Sequence, residues 1–344
     1  MRGLVQRARL CEPGWDADLV VETVEAPPPP GRDDVVIAVE ACGVCYRDCI
    51  DRAGRFPFLR VPVTPGHEAV GRVVAVGPDV REWKVGDRIA TMHRDFCGRC
   101  DACAAGEGSL CTSAATVLGL LVDGGYASYV CAPERTFYRM RDDVDAAEAA
   151  VFHCTLGTAY RGLRRAHVEA GMRVLVTGAN GGVGAAAIQV ATRLGATVIA
   201  VVRRQEHAAF AEAQGANAVV VDAEGRFHKQ VPGGAVDVAL DCVGATTFNA
   251  ALRSLRVGGR LIAIGNIVEQ RVELNLGYII TLGLQVIGSS GASRRDMDEL
   301  LQLHASRPFA VPIQSRLPLS EADRAQRMVA AGGLRGRIVL VPTS

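Results

Sequence analysis

The pattern of apolar and polar residues changes about halfway along the chain. Up to about residue 155, short runs of alternating polarity are separated by glycine and proline, which predicts a barrel-like β domain. Four of these runs are predicted strands, at residues 35–39, 69–76, 88–91 and 126–130. The prolines at residues 27–30 are interpreted as a rigid turn between strands.

From about residue 173 the pattern becomes strand, helix, strand. Six apolar strands are predicted there, at residues 174–177, 197–202, 218–221, 236–240, 260–264 and 284–287. Apolar strands separated by helices are typical of a doubly wound parallel sheet, so the predicted fold class is α/β. A last helix near 321–331 and a strand at 337–341 indicate that the C-terminus returns to the first domain.

Composition narrows the function. The chain has 344 residues, 49% of them hydrophobic, and a formal net charge of +1. A nearly neutral chain gives no electrostatic reason to expect nucleic acid or an anionic membrane as a partner, and no apolar stretch is long enough to span a bilayer. We therefore expect an enzyme that acts on a small molecule, assembled as a homodimer or homotetramer.

Four cysteines form a compact cluster. The run C-x2-C-x2-C-x7-C holds Cys97, Cys100, Cys103 and Cys111. Thiolates at such short spacings converge on one tetrahedral Zn²⁺, so we predict a structural zinc site. Disulfides are the alternative. They are disfavoured because residues 1–10 contain three arginines and no apolar secretory segment, so we expect a cytoplasmic protein with reduced thiols.

A glycine-rich turn follows the strand predicted at 174–177 and opens the next helix. Backbone N–H groups and the positive helix end at such a turn bind a pyrophosphate, so we predict a dinucleotide cofactor. The residues assigned to this site are Gly178, Gly181, Gly182, Val183 and Gly184.

The end of the following strand bears on the choice of cofactor. An NAD site would place Asp or Glu there, on the ribose 2′-hydroxyl. This chain has Arg203 and Arg204 instead, so NADP(H) is favoured and NAD(H) stays an alternative. The competing interpretation is that both arginines are solvated loop charges.

A second group of metal-ligand side chains is scattered along the chain. Cys45, His67 and Cys154 have the residue types of a catalytic zinc site with one open position. Spacing alone does not select them over their neighbours Cys42, Cys49 and His153. The cysteines that match no ligand position are interpreted as packed thiols; these are Cys11, Cys131 and Cys242.

Taken in order, these motifs resemble the zinc-containing medium-chain dehydrogenase/reductase superfamily over essentially the whole chain. The matching segments are 43–48, 66–68, the four-cysteine run, Cys154 with 157–160, and 181–184. The resemblance implies a GroES-like β-barrel catalytic domain and a Rossmann domain. We place the catalytic domain with its thiol loop at 1–155, the dinucleotide-binding domain at 156–290, and the return to the catalytic domain at 291–344.

The resemblance also implies roles for single residues. Cys45, His67 and Cys154 hold a catalytic zinc, and Glu68 approaches the metal when its water leaves. Asp48 matches the carboxylate that orients the histidine ligand. With the thiol loop, two zinc ions per chain are expected. Thr158 lies in the matching segment 157–160 and is assigned to the cofactor site.

Two positions depart from the alcohol dehydrogenase pattern. Members of that family place Ser or Thr two residues after the first zinc cysteine, and many add His three residues further on, to pass a proton outward. Here those positions are Arg47 and Ile50, so the usual proton relay is missing. The segments 45–48, 160–166 and 276–280 resemble a branch that contains archaeal acryloyl-CoA reductases.

Two functions follow from these observations. The first, which the complete ligand trio favours, is a zinc-assisted alcohol/carbonyl oxidoreductase. The second is an NADPH-dependent enoyl reductase that delivers hydride to a conjugated C=C bond. A quinone reductase and a non-catalytic nucleotide-sensing protein are lesser alternatives.

Overall fold

The computed structural model describes residues 4–113, 116–267 and 270–342. The strands in chain order are β1 (Leu4–Arg9), β2 (Val20–Glu25), β3 (Asp34–Val44), β4 (Ala69–Val76), β5 (Arg88–Thr91), β6 (Tyr129–Pro133), β7 (Phe137–Arg139), β8 (Arg173–Val176), β9 (Thr197–Val202), β10 (Ala218–Val221), β11 (Val236–Asp241), β12 (Leu255–Ala263), β13 (Gln285–Gly288), β14 (Ile313–Pro318) and β15 (Arg337–Val341). The α-helices are α1 (Tyr46–Arg52), α2 (Asp101–Ala104), α3 (Ala146–Val151), α4 (Thr158–Arg165), α5 (Gly182–Arg193), α6 (Ala208–Ala213), α7 (Ala245–Arg253), α8 (Leu276–Leu282), α9 (Arg294–Ser306) and α10 (Ala322–Ala331).

The first part of the chain forms a seven-stranded sheet around β3. Its path runs β14-β15-β3-β4-β5-β7, and β6 also pairs with β3. β4 and β5 have the predicted bounds, whereas β3 continues to Val44 and so delivers the backbone to Cys45. The strand predicted at 126–130 forms three residues later, as β6.

The second part forms the predicted parallel sheet of six strands, in the order β10-β9-β8-β11-β12-β13. Every pairing in it is parallel. The strand order reverses between β8 and β11, with β9 and β10 on one side and β12 and β13 on the other. A crevice therefore forms at the carboxyl ends of β8 and β11. This crevice is where the glycine-rich turn lies. In the part of the chain that the structure describes, no helix is long and apolar enough to cross a membrane.

The C-terminus returns to the first sheet, as the sequence indicated. β15 pairs antiparallel with β3, with Leu340 opposite Cys42. β14, which was not predicted, pairs parallel with β15. The small sheet of β1 and β2 was not predicted either.

Arg52 ties the C-terminal helix α10 to the first domain. Its side chain is fully buried at the end of α1, where Nη2 lies 2.7 Å from Asp323 Oδ1 and 2.6 Å from the Ala17 carbonyl. The guanidinium also lies 4.5 Å from the centre of the Trp15 ring. A buried cation is stable only while such partners surround it.

We expect the Arg52→Met substitution to lower the melting temperature clearly, because Asp323 loses its buried partner and keeps only the exposed Arg327, while the Ala17 carbonyl loses its donor, at a cost of about 2 kcal/mol. The matched control is Arg324→Met on the same helix, since that side chain is 66% exposed and, among the described residues, pairs only with Glu321. Thermal unfolding followed by circular dichroism measures both. Equal melting temperatures for the two variants would contradict the anchoring role.

Candidate active site

Four potential metal ligands meet between the two sheets. Cys45 caps the N-terminus of α1, His67 and Glu68 precede β4, and Cys154 lies in the π-helical turn His153–Gly157. One ligand atom from each lies within 4.8 Å of the others. The sequence-predicted group is therefore brought together in space, from positions up to 109 residues apart in the chain.

The spacing of the two sulfurs fits a tetrahedral metal. Cys45 Sγ and Cys154 Sγ are 3.8 Å apart. Two thiolates bound at about 2.3 Å to one Zn²⁺ in tetrahedral geometry stand about 3.8 Å apart, whereas a disulfide requires about 2.05 Å. The competing residues have other surroundings: the Cys42 and Cys49 side chains are buried in the apolar core beside this group.

Asp48 holds His67 in place. Its Oδ1 lies 2.9 Å from His67 Nδ1, and its Oδ2 accepts hydrogen bonds from the Cys45 N–H and the Tyr126 hydroxyl, both at 2.9 Å. Asp48 is 1% exposed, so it acts on the ring from a buried position. This leaves Nε2 as the free ligand atom of His67.

Gly66 turns the chain so that His67 points into the group. Its φ is +97°, a conformation that favours glycine. A Cβ there would lie 2.4 Å from the Tyr126 ring, so this position has no room for a side chain.

Protons are shared within the group. A hydrogen bond from the Cys154 thiol lowers the pKa of Cys45 and, from the donor side, raises the pKa of Cys154. Burial and the Arg47 charge disfavour protonation of His67, but Asp48 and Cys45 outweigh them and raise its pKa to about 10. A divalent cation would displace these protons on binding.

Glu68 makes a buried ion pair that sequence reasoning missed. The Arg337 guanidinium, on the C-terminal strand β15, lies 2.7 Å from Glu68 Oε1 and also donates to the Val44 carbonyl. Burial raises the pKa of Glu68 to about 7, although Arg337 opposes this shift. The available signal was a lone charge in an otherwise apolar strand, since Arg337 is 7% exposed.

The four-cysteine run forms a second group. The Sγ atoms of Cys97 and Cys103 are 3.9 Å apart, and Cys100 Sγ lies 3.5 Å from Cys103 and 3.8 Å from Cys111. One ligand atom from each lies within 4.8 Å of the others. These separations again fit four thiolates around one tetrahedral ion and exclude disulfides in this geometry.

The glycine-rich turn packs against the C-terminal segment. Gly178 has a φ of +59°, and a Cβ on Gly184 would lie 2.3 Å from the Gly178 carbonyl oxygen. Gly181 forms a β-bridge with Gly336. A Cβ on Gly182 would lie 2.3 Å from Arg337 Cδ, so the cofactor loop and the metal group share one neighbour.

Val183 and Thr158, which were also assigned to the cofactor site from the sequence, lie at different distances from this turn. Val183 is half-buried in the first turn of α5. Thr158 is buried at the start of α4, while the threonine beside the turn is Thr155, whose Cγ2 lies 3.1 Å from the Cβ position of Gly182.

Arg203 and Arg204 lie immediately after β9, on the surface. Arg204 makes only a long contact, 3.4 Å, with Glu206. His207 follows in the same turn and is 3% exposed, yet its Nδ1 has no hydrogen-bond partner among the described residues. Burial lowers the pKa of this ring; Glu206 opposes the shift, and the charges of Arg335, Arg204 and Arg203 add to it.

Arg47 occupies the position of the missing relay hydroxyl. Its Nε donates to Asp51 Oδ2 at 2.8 Å and its Nη2 donates to the Leu118 carbonyl at 2.9 Å. The side chain is 19% exposed, and its charge lowers the pKa of His93 as well as opposing protonation of His67. A fixed guanidinium therefore stands beside the metal group at the position where the alcohol dehydrogenase pattern has a proton carrier.

Two further imidazoles border the group and were not assigned from the sequence. The His93 ring centre lies 6.5 Å from that of His67 and 5.6 Å from that of His153. His153 Nε2 lies 3.1 Å from the Ala292 carbonyl, which fixes that ring. Two of the cysteines interpreted as packed thiols are exposed instead: Cys11 follows the end of β1, and the alternation of β6 places Cys131 on its outer face.

This fold and site define a zinc-type dehydrogenase or reductase, and comparison with known proteins agrees. Residues 31–142 match the alcohol dehydrogenase GroES-like domain family, and residues 182–306 match the zinc-binding dehydrogenase family. The chain belongs to the zinc-containing medium-chain dehydrogenase/reductase superfamily. The predicted GroES-like and Rossmann architecture is thereby confirmed.

Relatives with two different activities are similar to this chain. An acryloyl-coenzyme A reductase from Sulfurisphaera tokodaii is 34% identical over 320 residues, which cover 92% of this chain and 94% of the relative. The crystal structure of AibC has a TM-score of 0.93 and 38% identity, covering 100% of this chain and 97% of that one. A cobalt- and zinc-bound thermostable alcohol dehydrogenase from Pyrobaculum aerophilum has a TM-score of 0.90 and 28% identity, covering 99% and 100%.

Proposed function

We propose that this protein is a zinc-dependent, NADP(H)-linked reductase that delivers hydride to a C=C bond conjugated to a carbonyl. The convergence of four potential ligands within 4.8 Å, next to the dinucleotide turn, supports zinc-assisted hydride transfer, and the fixed guanidinium of Arg47 beside them carries the choice of a C=C bond. When bound, zinc supplies a Lewis acid that polarises the substrate oxygen, and the nicotinamide supplies the hydride.

The chain's own residues position the reactants. Cys45 and Cys154 hold the metal with His67, which Asp48 keeps in one tautomer and orientation. Arg337 pairs with Glu68 at 2.7 Å and neutralises this carboxylate beside the metal ligands, so the fourth ligand position is available to substrate. The cluster of buried side chains around this group keeps water away from the reacting atoms.

The position of Arg47 favours C=C reduction over alcohol chemistry. An alcohol dehydrogenase must move a hydroxyl proton outward, and a guanidinium bonded to Asp51 and Leu118 carries none. In C=C reduction the negative charge gathers on the acyl oxygen, and the proton goes to carbon. A fixed cation nearby stabilises that charge. The acryloyl-coenzyme A reductase relative is consistent with this reaction class.

Alcohol/carbonyl oxidoreduction, the reaction that the sequence alone favoured, is the second candidate. The complete ligand group with one open position favours it, because such a site polarises a simple carbonyl equally well. The similar alcohol dehydrogenase from Pyrobaculum aerophilum is consistent with it.

NADP(H) is the proposed cofactor because three arginines gather at the end of β9. Arg203 and Arg204 are exposed there, and Arg335 is held nearby, since the next residue, Gly336, donates its N–H to the Asn180 carbonyl at 3.0 Å. The charge of Arg335 also acts on His207. A 2′-phosphate would bind to this set of charges, whereas a 2′-hydroxyl gains little from it.

A homodimer is the proposed assembly. β13 lies at the edge of the parallel sheet, and Val286 on it is 43% exposed. On α8, next to this edge in the chain, Leu276 is 66% and Ile280 is 77% exposed. An apolar sheet edge of this kind pairs with a second copy of itself through a twofold axis. We also propose a cytoplasmic location, where thiolates for metal binding stay reduced.

Metal analysis tests the ligand assignment. We expect about two zinc ions per chain, one of which is lost in Cys45→Ser together with turnover, and the other in Cys100→Ser together with thermal stability. The control is Cys131→Ser, an exposed cysteine that should leave both ions in place. A Cys45→Ser protein that keeps both ions would disprove the assignment.

Cofactor titration tests the arginines. Replacing Arg203 and Arg204 with alanine should weaken NADPH binding by about 10- to 100-fold, the range for lost charge-assisted hydrogen bonds, and change NADH binding by less than about twofold. The control is Arg226→Ala, an arginine that pairs only with Glu224 on a neighbouring loop. Isothermal titration with both cofactors provides the numbers. Equal losses for the two cofactors would place the arginines outside the phosphate site.

Sedimentation velocity tests the assembly. The double substitution Ile280→Arg and Val286→Lys should convert a dimer to a monomer, because it buries charge in the proposed interface. Val85→Lys, at a side chain that is 63% exposed in the other domain, should leave the dimer intact. A wild-type monomer, or a dimer that survives the double substitution, would refute this interface.

Product analysis decides between the two reactions. With NADPH and a conjugated aldehyde or enoyl-CoA ester, we expect the saturated compound, because hydride goes to the β-carbon. An allylic alcohol from the aldehyde would instead establish carbonyl reduction. The Arg47→Thr substitution adds a second test: it should lower C=C reduction, whereas a carbonyl reductase with a missing relay would gain alcohol oxidation.

A further inference from the structure

Four charged side chains from three separate segments form one cluster. Glu107 lies in the thiol loop, Arg161 and Arg164 lie on α4, and Asp296 lies in the first turn of α9. Arg161 Nη1 donates to Asp296 Oδ2 at 2.9 Å, and Arg164 Nε donates to Asp296 Oδ1 at 2.6 Å. The opposite ends of the same guanidiniums bind Glu107, from Arg161 Nη2 and from Arg164 Nη2 at 3.3 Å.

The cluster is buried at one end and partly exposed at the other, where Glu107 and Arg164 are each 29% exposed. The side chains of Arg161 and Asp296 are 0% exposed, and Arg161 Nε has no hydrogen-bond partner among the described residues. Removing Glu107 would leave two guanidiniums facing the single carboxylate of Asp296. A buried charge that loses its partner must move or admit water, because leaving it unpaired is costly.

The turns of the thiol loop fix the position of Glu107. It lies between Cys103 and Cys111, its N–H donates to the Ala102 carbonyl at 2.8 Å, and its carbonyl accepts from Leu110 N–H at 2.8 Å. The backbone that carries Glu107 is therefore folded by the same turns that bring the four thiols together.

Asp296 also contacts the segment that borders the proposed active site. Its Oδ2 accepts from the Ser293 backbone N–H at 2.8 Å and from the Ser293 hydroxyl at 2.6 Å, which closes the start of α9. The preceding carbonyl, of Ala292, lies 3.1 Å from Nε2 of His153. His153 is the neighbour of Cys154, so the start of α9 contacts the residue next to a metal ligand.

The segment that contains Ala292 and Ser293 also contacts the second imidazole, that of His93. A Cβ on Gly291 would lie 2.8 Å from the His93 ring and 3.3 Å from the His153 ring. Any displacement of the segment 291–293 therefore changes the packing of both rings beside the catalytic group.

We propose that Glu107 is a positioning residue that couples the four-thiol site to the active site: a metal in the thiol loop holds Glu107 against Arg161 and Arg164, and these hold Asp296 and the segment 291–293 against His153. The proposal rests on the proposed function only in requiring a metal in the thiol loop. The metal in the thiol loop then has a role beyond local stability. Its loss loosens the segment 291–293, which borders the proposed active site and lies about 190 residues later in the chain.

Hydrogen exchange of the full-length protein tests the coupling without any need for catalysis. In Glu107→Gln, amides in residues 291–297 should exchange about tenfold faster, the factor for one lost hydrogen bond between charged groups. The control is Asp101→Asn, which removes another carboxylate of the thiol loop whose side chain makes no hydrogen bond in the described structure. A Glu107→Gln protein that exchanges like the control there would overturn the proposal.

Metal removal completes a double cycle. Stripping the thiol site with a chelator, or with Cys100→Ser where that protein folds, should speed exchange at 291–297 about tenfold in the wild type and much less in Glu107→Gln. Equal acceleration in both backgrounds, or a thiol loop that holds no metal in the purified protein, would overturn the coupling. A coupled protein that shows no oxidoreductase activity would instead refute the proposed function and leave the coupling standing.

Discussion

The buried ion pair between Arg337 and Glu68 is the contact on which the site depends, because three distant parts of the chain meet there. Arg337 begins the C-terminal strand, Glu68 precedes β4 beside the metal group, and the stem of Arg337 fills the space that a side chain on Gly182 would need. The cofactor turn and the metal group are thus set at a fixed separation by one arginine. Neither partner can be removed alone, since each would leave an unpaired buried charge.

This ion pair also explains why the C-terminus has to return. Arg337 can reach Glu68 only if β15 pairs with β3, and that pairing places Leu340 opposite Cys42 in the core. The same segment supplies Gly336, which bridges to Gly181 in the cofactor turn. A single short strand therefore closes the first sheet, neutralises the acid beside the metal group and contacts the phosphate-binding backbone.

Local signals in the sequence were sufficient for much of the fold. β4, β5, β9 and β10 have their predicted bounds because each is a short apolar run between turn residues. β14 was missed because it is an edge strand whose residues alternate between exposed and half-buried and end in a proline. The thiol loop was predictable since its ligands lie within fifteen residues of one another. A contact such as Arg161 with Asp296, 135 residues apart, has no local signal.

The scattered metal ligands were equally hard to assign from local sequence signals. Cys45 and Cys154 are 109 residues apart, and nothing in their spacing distinguished Cys45 from Cys42. The structure separates them by position: Cys42 lies within β3 and packs in the apolar core of the first sheet, while Cys45 lies beyond the end of β3 at the helix cap. Only a family resemblance, which carries long-range information, could supply that choice in advance.

The charges around the site support the proposed reduction of a conjugated C=C bond over carbonyl reduction. Two thiolates would balance the charge of one bound divalent cation. Arg337 balances the charge of Glu68, and Arg47 balances that of Asp51. The Asp48 carboxylate is hydrogen-bonded to His67. A pocket so close to neutrality does not oppose a transient negative charge on a substrate oxygen. It offers no group at position 47 or 50 to deliver a proton to that oxygen, so the charge is discharged most easily by protonation at carbon. That outcome is the reduction of a conjugated C=C bond.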